Sequence, residues 1–382
     1  MRIIQLAITS VTIMLMVPVA FSDIKLGQNF TFSGDLRAGY FGSEREDRDN
    51  SKSDSEEWRL RARFGLKARI NQETSFKIRL SGRYSTDDRN SNHFQIFRSS
   101  PSGDGLRRGQ STIDQFHFDF KLSSWKLRLG RQQTSYELKG VAKKSLDRND
   151  SPNTDVNWTD GVLATRQWGN GWNSDIILQY NAKEGATNVR RSPLNFTDSS
   201  SRVSYFIRYG NKKKSGAFIQ RALDITYLPS ALRKDGNSTG RIEDYLVLLG
   251  RVALAWPVSN KGTKFVLGLE LAYAPETPTL AAKSLPGNGD SDGFATQITF
   301  NFVDIFPRHS MGLVVGRAGA GYLLSPDFRE NNNLLELRYK WQLNKKQKFE
   351  ARIRRRTEIK RLSGAADKRV DSDIYLRFTH QF

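Results

Sequence analysis

The sequence predicts an all-β protein: a closed antiparallel transmembrane β-barrel of about sixteen strands, with short turns at one end and long loops at the other. Three observations predict it. Segments of period-two apolar alternation recur along the chain. The connections between them alternate short and long, and most segments run to about nine to fourteen residues. A tilted membrane-spanning strand needs about nine to eleven residues, whereas globular strands average five to six.

The stretch WRLRARFGLKARI, Trp58 to Ile70, states the pattern most plainly. Side chains on a strand point alternately to opposite faces. One face therefore carries Trp58, Leu60, Ala62, Phe64, Leu66, Ala68 and Ile70, and the other Arg59, Arg61, Arg63, Lys67 and Arg69. A soluble sheet would bury the first face in a core. A barrel would give it to lipid and turn the cations to a wet lumen.

The rest of the chain decides between the two. An earlier segment alternates through Phe30, Phe32, Leu36, Ala38 and Tyr40, and a later one sets Phe76, Ile78, Leu80 and Tyr84 against Lys77, Arg79 and Arg83. Phe116 to Leu122 and Trp125 to Leu129 follow, then weaker segments near 157–168, 171–182, 201–210 and 215–227. Stronger ones cover about 242–257, 262–274, 293–303, 309–323 and 332–344, and the last two about 346–360 and 371–382. Short connections fall at 71–74, 123–124, 169–171, 211–214, 257–262, 303–308 and 344–346. Between them lie long polar ones at 42–56, 86–110, 133–156, 183–200, 228–241, 275–292, 324–331 and 361–370. This rhythm is that of membrane barrels, with tight periplasmic turns and long external loops. An even strand number brings both termini to one side, expected to be the periplasm.

Bulk composition agrees. The 382 residues hold 60 Lys+Arg against 40 Asp+Glu, a formal net charge of +20, so anionic partners are expected. There is no cysteine, which excludes disulfides, thiolate metal sites and cysteine nucleophiles. Residues 1–22 read as a signal peptide, with Arg2, an apolar stretch through Val19, and small residues at Ala20 and Ser22 before cleavage. The mature chain, 23–382, then forms one barrel domain without a linker, and no later apolar run reaches the 18 residues of a transmembrane helix.

The chain ends DIYLRFTHQF, with Ile374, Leu376, Phe378 and Phe382 on one face. Together with WKLRLGRQ at 125–132 and the turn rhythm, this resembles a Gram-negative outer-membrane porin, general or phosphate-selective. The resemblance implies a passive channel in the outer membrane, a trimer, and a third long loop (133–156) that narrows the pore. It also makes Phe378 and Phe382 the end recognised by the barrel-assembly machinery. The loop lacks the Pro-Glu-Phe-Gly-Gly pattern of general porins, so the sequence leaves its inward fold open. Implied partners are outer-membrane lipids and lipopolysaccharide, the assembly machinery and small anionic solutes.

Within this frame the lumen face carries the chemistry. Arg59, Arg61, Arg63, Lys67, Arg69, Lys77, Arg79 and Arg83 near the start join Arg338, Lys340, Lys348, Arg352, Arg354, Arg356 and Arg377 near the end, because the last strand of a closed barrel pairs with the first. Walls of Arg and Lys select anions and phosphates in pores. Interleaved Asp35, Glu336, Glu350 and Glu358 offer the opposite reading, a lumen braced by internal ion pairs. A wider channel for acidic polysaccharide, of the alginate-export kind, is the second channel reading; eighteen strands or a third loop outside the lumen would favour it. A barrel hydrolase is the third: His117 and Asp119 share an inward face, but no serine at matching depth completes a nucleophile, base and orienter. No cofactor or transition-metal spacing occurs, and Asp290 and Asp292 offer only a bare Ca²⁺ possibility. Nucleic acid is not expected, because the cations lie on strand faces. Arg221 and Arg355 fall on the lipid face in this register, where a midplane arginine costs about 2–4 kcal/mol.

Overall fold

The structure, a computed structural model, describes residues 24–86, 93–94, 109–147, 158–181, 202–236, 242–259, 262–325 and 327–382. The signal-peptide boundary at 22 and most of the expected loops 86–110 and 183–200 lie outside the described residues.

Sixteen antiparallel strands close into a barrel. They are β1 (Phe30–Glu46), β2 (Lys52–Arg69), β3 (Thr74–Ser85), β4 (Gln110–Leu122), β5 (Trp125–Gln132), β6 (Thr159–Gln167), β7 (Trp172–Asn181) and β8 (Arg202–Asn211). The second half comprises β9 (Phe218–Arg233), β10 (Ile242–Pro257), β11 (Lys264–Tyr273), β12 (Phe294–Phe306), β13 (His309–Ala318), β14 (Asn332–Gln342), β15 (Gln347–Glu358) and β16 (Val370–Gln381). Each pairs with its chain neighbours, and β16 pairs with β1 from Val370↔Glu46 to Gln381↔Asp35. A short strand, Ile24–Leu26, folds back on Phe30–Phe32. Closure leaves no open edge, as an apolar solvent requires.

Alternation sorts the side chains as the period predicts. Leu60, Phe64, Leu80, Phe118, Leu223 and Ile353 stand exposed on the outer surface. Asp35, His117, Arg208, Asp224, Arg251, Glu270, Asn301, Glu336 and Arg352 point in and are buried. Aromatic pairs ring the outer face near both ends. Trp172–Tyr209 (4.6 Å), His309–Trp341 (5.2 Å) and Trp256–Phe265 (6.0 Å) lie by the short turns, and Tyr40–Trp58 (5.6 Å) and Tyr205–Tyr227 (5.9 Å) toward the long loops. Such belts mark the headgroup levels of a bilayer.

Three expected boundaries are corrected. The stretch 42–56 is not a loop: β1 and β2 stay paired through Arg45↔Ser53 and Glu46↔Lys52, so the connection shrinks to 47–51. Above the Tyr40–Trp58 belt both faces of the hairpin are polar, so the apolar alternation stops while the hydrogen-bond ladder continues. β9 runs on to Arg233 because the register shift between Leu228 and Leu232 absorbs extra residues. β13 ends at Ala318, where the chain turns at Gly319–Tyr322 into the barrel instead of continuing to 323.

The interior is not wet throughout. Residues 133–147 of the third long loop enter the lumen and dock on the β9–β13 wall. The Val141 amide donates to Asn301 Oδ1 (2.8 Å), the Lys139 amide to Gln220 Oε1 (2.7 Å) and the Leu146 amide to Glu270 Oε2 (2.9 Å). Gly312 of β13 permits this approach: a Cβ there would stand 2.6 Å from Asn301 and 3.0 Å from Val141. Residues 319–325 and 327–331 fold in beside it, and Ala142, Leu146, Leu232, Tyr245, Val314, Tyr322, Leu324 and Phe328 form a dry apolar core there. The question left open by the missing porin motif is thus answered: the loop folds inward, held by wall residues rather than by its own pattern.

Candidate functional site

The exposure of inward side chains identifies the wall that remains wet. On β7–β12 the inward groups Asp175, Arg208, Asp224, Arg251, Glu270, Gln297 and Asn301 are buried. Arg251 there reaches Asp147 (2.8 Å), Asp224 (2.7 Å) and Glu270 (3.0 Å), so on this side carboxylates surround the cation. On β15, β16, β2 and β3 the side chains of Arg61, Arg63, Arg79, Arg354 and Arg377 keep 12–18% of their surface open. The aqueous path therefore runs between the docked loop and this basic wall.

Register makes the wall a grid. Across β15, β16, β1, β2 and β3 one register row reads Lys348, Thr379, Arg37, Arg61 and Arg83. Four cations thus stand in one row, although like charges directly opposite are destabilising. Carboxylates in adjoining rows offset this. Asp35 accepts from Arg61 (2.7 Å) and Arg63 (2.6 Å), and Glu350 pairs with Arg377 (2.8 Å) and Lys348 (3.0 Å). Asp373 takes Arg354 (2.6 Å) and Arg352, and Glu336 takes Arg338 (2.6 Å) and the loop's Lys144 (3.1 Å). Asp35 and Glu350, which flank the row, are each shared by two cations, so these two clusters retain positive charge. Tyr375, also inward, lies under the guanidiniums of Arg352 (4.1 Å) and Arg377 (4.9 Å), and Arg59 covers Phe41 (3.7 Å).

The fifteen cations expected on the lumen face all lie on inward faces of the paired strands, but they do not share one environment. Arg59 pairs with Glu57, and Arg79 with Asp114 (2.7 Å) and Gln133 of the loop. Lys67 and Arg69 are exposed at the short-turn mouth, with Lys121 and Glu73 nearby, and Lys77 and Arg83 are half-buried. Arg338, Arg352 and Arg356 are a correction: they are buried rather than open to the channel. Arg338 and Arg352 are packed among Glu336, Asp373 and Tyr375, and Arg356 donates to the Asp327 carbonyl (3.0 Å), which fastens the segment after β13. Arg37, on the polar face of its segment, is absent from the cations expected to line the pore. Its signal was present, an inward position two residues after Asp35, but only the pairing Arg37↔Arg61 shows that it completes the row.

The remaining candidates resolve simply. His117 Nδ1 lies 3.7 Å from Asp119, beyond hydrogen-bond reach, and Asp119 is taken by Arg128 (2.6 Å). Asp290 faces Lys234 (3.1 Å) and Asp292 faces Arg317 (3.5 Å), and no metal-holding cluster occurs among the described residues. Arg221 and Arg355 do face outward, near strand ends. Arg221 pairs in register with Asn211, the last residue of β8, and Arg355 lies three residues before the end of β15. Phe382 folds its ring against Phe32 and Phe64 (6.0 Å each) on the outer face, and its N–H and carbonyl pair with Gly34.

No protein-family model and no curated protein matches the sequence. Solved structures do match in fold. The chain is similar to Pseudomonas putida OprB (11% identity, 93% of this chain and 94% of that one, TM-score 0.60) and to an anion-selective porin from Comamonas acidovorans (12%, 92% and 99%, 0.55). Pseudomonas aeruginosa OpdL is a third (12%, 92% and 98%, 0.50). The sixteen-stranded barrel is thus the fold of the outer-membrane porins.

Proposed function

We propose that the protein is an outer-membrane channel for passive diffusion of small solutes, and that it prefers anions. The observation that carries the preference is the row of Lys348, Arg37, Arg61 and Arg83 on the wet wall, flanked by carboxylates each outnumbered two to one. A pore in a low-dielectric barrel focuses that field and concentrates anions. In this reading the chain catalyses nothing, its short turns and both termini face the periplasm, and it assembles as a homotrimer among outer-membrane lipids and lipopolysaccharide. The likeness to a porin described as anion-selective supports the same direction. Sixteen strands and an inward loop speak against the polysaccharide channel, which needs a wider lumen.

The test is a single-channel recording across a KCl gradient. The expected reversal potential has the sign of chloride selectivity. The double variant R37Q/R61Q moves it toward the potassium side, more at 0.01 M salt than at 1 M, because the Debye length falls from about 30 Å to about 3 Å. A potential near zero in the parent protein would overturn anion preference and leave an unselective braced pore.

A further inference from the structure

On the outer surface of the barrel, by the short turns, β8–β11 form a groove of about 410 Å³ whose lining is almost wholly apolar, with Tyr209, Leu223, Val252 and Leu271 among its walls. Gly250 leaves the space open, since the nearest atom to a Cβ there is Leu223 Cδ2 at 3.7 Å. The Arg251 side chain turns away into the lumen, and the cation on the outer face of the groove is Arg221, its guanidinium 5.5 Å from the Trp172 ring and 5.4 Å from Phe218. Its Nε is buried and has no hydrogen-bond partner. The adjacent turn carries Lys212, Lys213 and Lys214, and Lys213 packs its Cβ close to Gly171 at the foot of β7.

We propose that this groove holds one phosphate-bearing diacyl lipid, with the phosphate on Arg221 and an acyl chain over Gly250. This rests on the reading of the protein as a membrane barrel. An arginine on a lipid-facing surface needs an anionic partner or water, and at this depth the bilayer supplies phosphate. The guanidinium fork matches two phosphate oxygens. Lys213 and Lys214 of the adjacent turn raise the local anion concentration, and the stacked Trp172–Tyr209 pair (4.6 Å) sits where headgroups begin. A second copy of the chain would instead have to present a carboxylate from within its own apolar band.

The probe is a short-chain phosphatidylglycerol added to the detergent-purified barrel and counted by native mass spectrometry. The parent protein is expected to retain one lipid, with no uptake of the matching diacylglycerol and no competition from millimolar inorganic phosphate. R221Q should bind about tenfold more weakly, about 1.4 kcal/mol, and G250L should lose retention by filling the groove. Both residues face away from the lumen, so conductance and heat-modifiable migration should stay unchanged and report intact barrels. Equal binding by both variants, or equal binding of diacylglycerol, overturns the site. So does loss of oligomer with unchanged lipid count, which assigns the groove to a neighbouring copy. Absence of conductance with lipid binding intact overturns the channel reading and leaves the lipid site standing.

Discussion

Asp35 shows how a wall crowded with arginine holds together. It accepts hydrogen bonds from Arg61 and Arg63, and it neutralises one of the two charges. Asp373 does the same for Arg352 and Arg354. Acid and base on this wall should therefore act with opposite sign on selectivity. D35N leaves two guanidiniums facing each other; it should shift the reversal potential further to the anion side and destabilise the barrel by about 3 kcal/mol, the low end for breaking a buried pair. R61Q should shift the potential the other way. Reversal potentials and urea unfolding in liposomes check both, and a D35N shift toward cations would show that the wall's field does not set selectivity. How far such roles could be read from sequence depends on distance. Arg61 and Arg63 were legible because five cations alternate with seven apolar residues over one segment. The burial of Arg356 was not, because the group that holds it, the Asp327 carbonyl, comes from a loop whose path no local pattern encodes.

At the scale of elements, strand interiors were legible and their ends were not. Lipid on one face enforces period two, but where β1 and β2 pass beyond the apolar band, Glu44, Arg45 and Glu46 carry no such signal. The docked loop was illegible for another reason: its partners Gln220, Asn301 and Glu270 lie 81, 160 and 124 residues away and are ordinary polar residues in sequence. Within this loop Lys144 is fully buried beside Glu336 (3.1 Å) and Asp327 (3.6 Å), yet burial outweighs both acids and pushes its pKa down from 10.5 to about 8. The sign follows from linkage. Between about pH 8 and 10.5 the folded loop binds fewer protons than the unfolded chain, so this group makes unfolding costlier as pH rises through that window. Selectivity moves as well, because the neutral amine removes one positive charge from the Glu336 cluster. Raising the pH from 7 to 9 should lower anion preference in the parent protein, and K144M should reduce that dependence, with lysines of the wall itself carrying the rest. Parallel curves for the two proteins would show that Lys144 does not titrate there.

At the scale of the whole molecule, one seam makes the sheet a barrel: β16 against β1, joining residues more than three hundred positions apart in the chain. The seam places the two cationic segments on one wall, so the pore's charge is a consequence of closure. Phe382 finishes it. Its N–H donates to the Gly34 carbonyl (3.0 Å), its carbonyl accepts from the Gly34 N–H (2.9 Å), and its ring packs on Phe32 and Phe64. Phe378, next to Ala38 in register, belongs to the same strand end. Phe382 is a closing contact, and we propose that it is also recognised during assembly; one deletion separates the two roles. Without Phe382, expression from a slow inducible promoter should give reduced outer-membrane levels, read as heat-modifiable protein on gels. The same variant refolded from urea into detergent, with no assembly machinery present, should regain the heat-modifiable form at close to the parent yield. Two backbone hydrogen bonds at a frayed strand end contribute only about 1 kcal/mol each. A matching loss in both settings would make Phe382 a closure residue and remove its signalling role. Unchanged levels in cells would remove both.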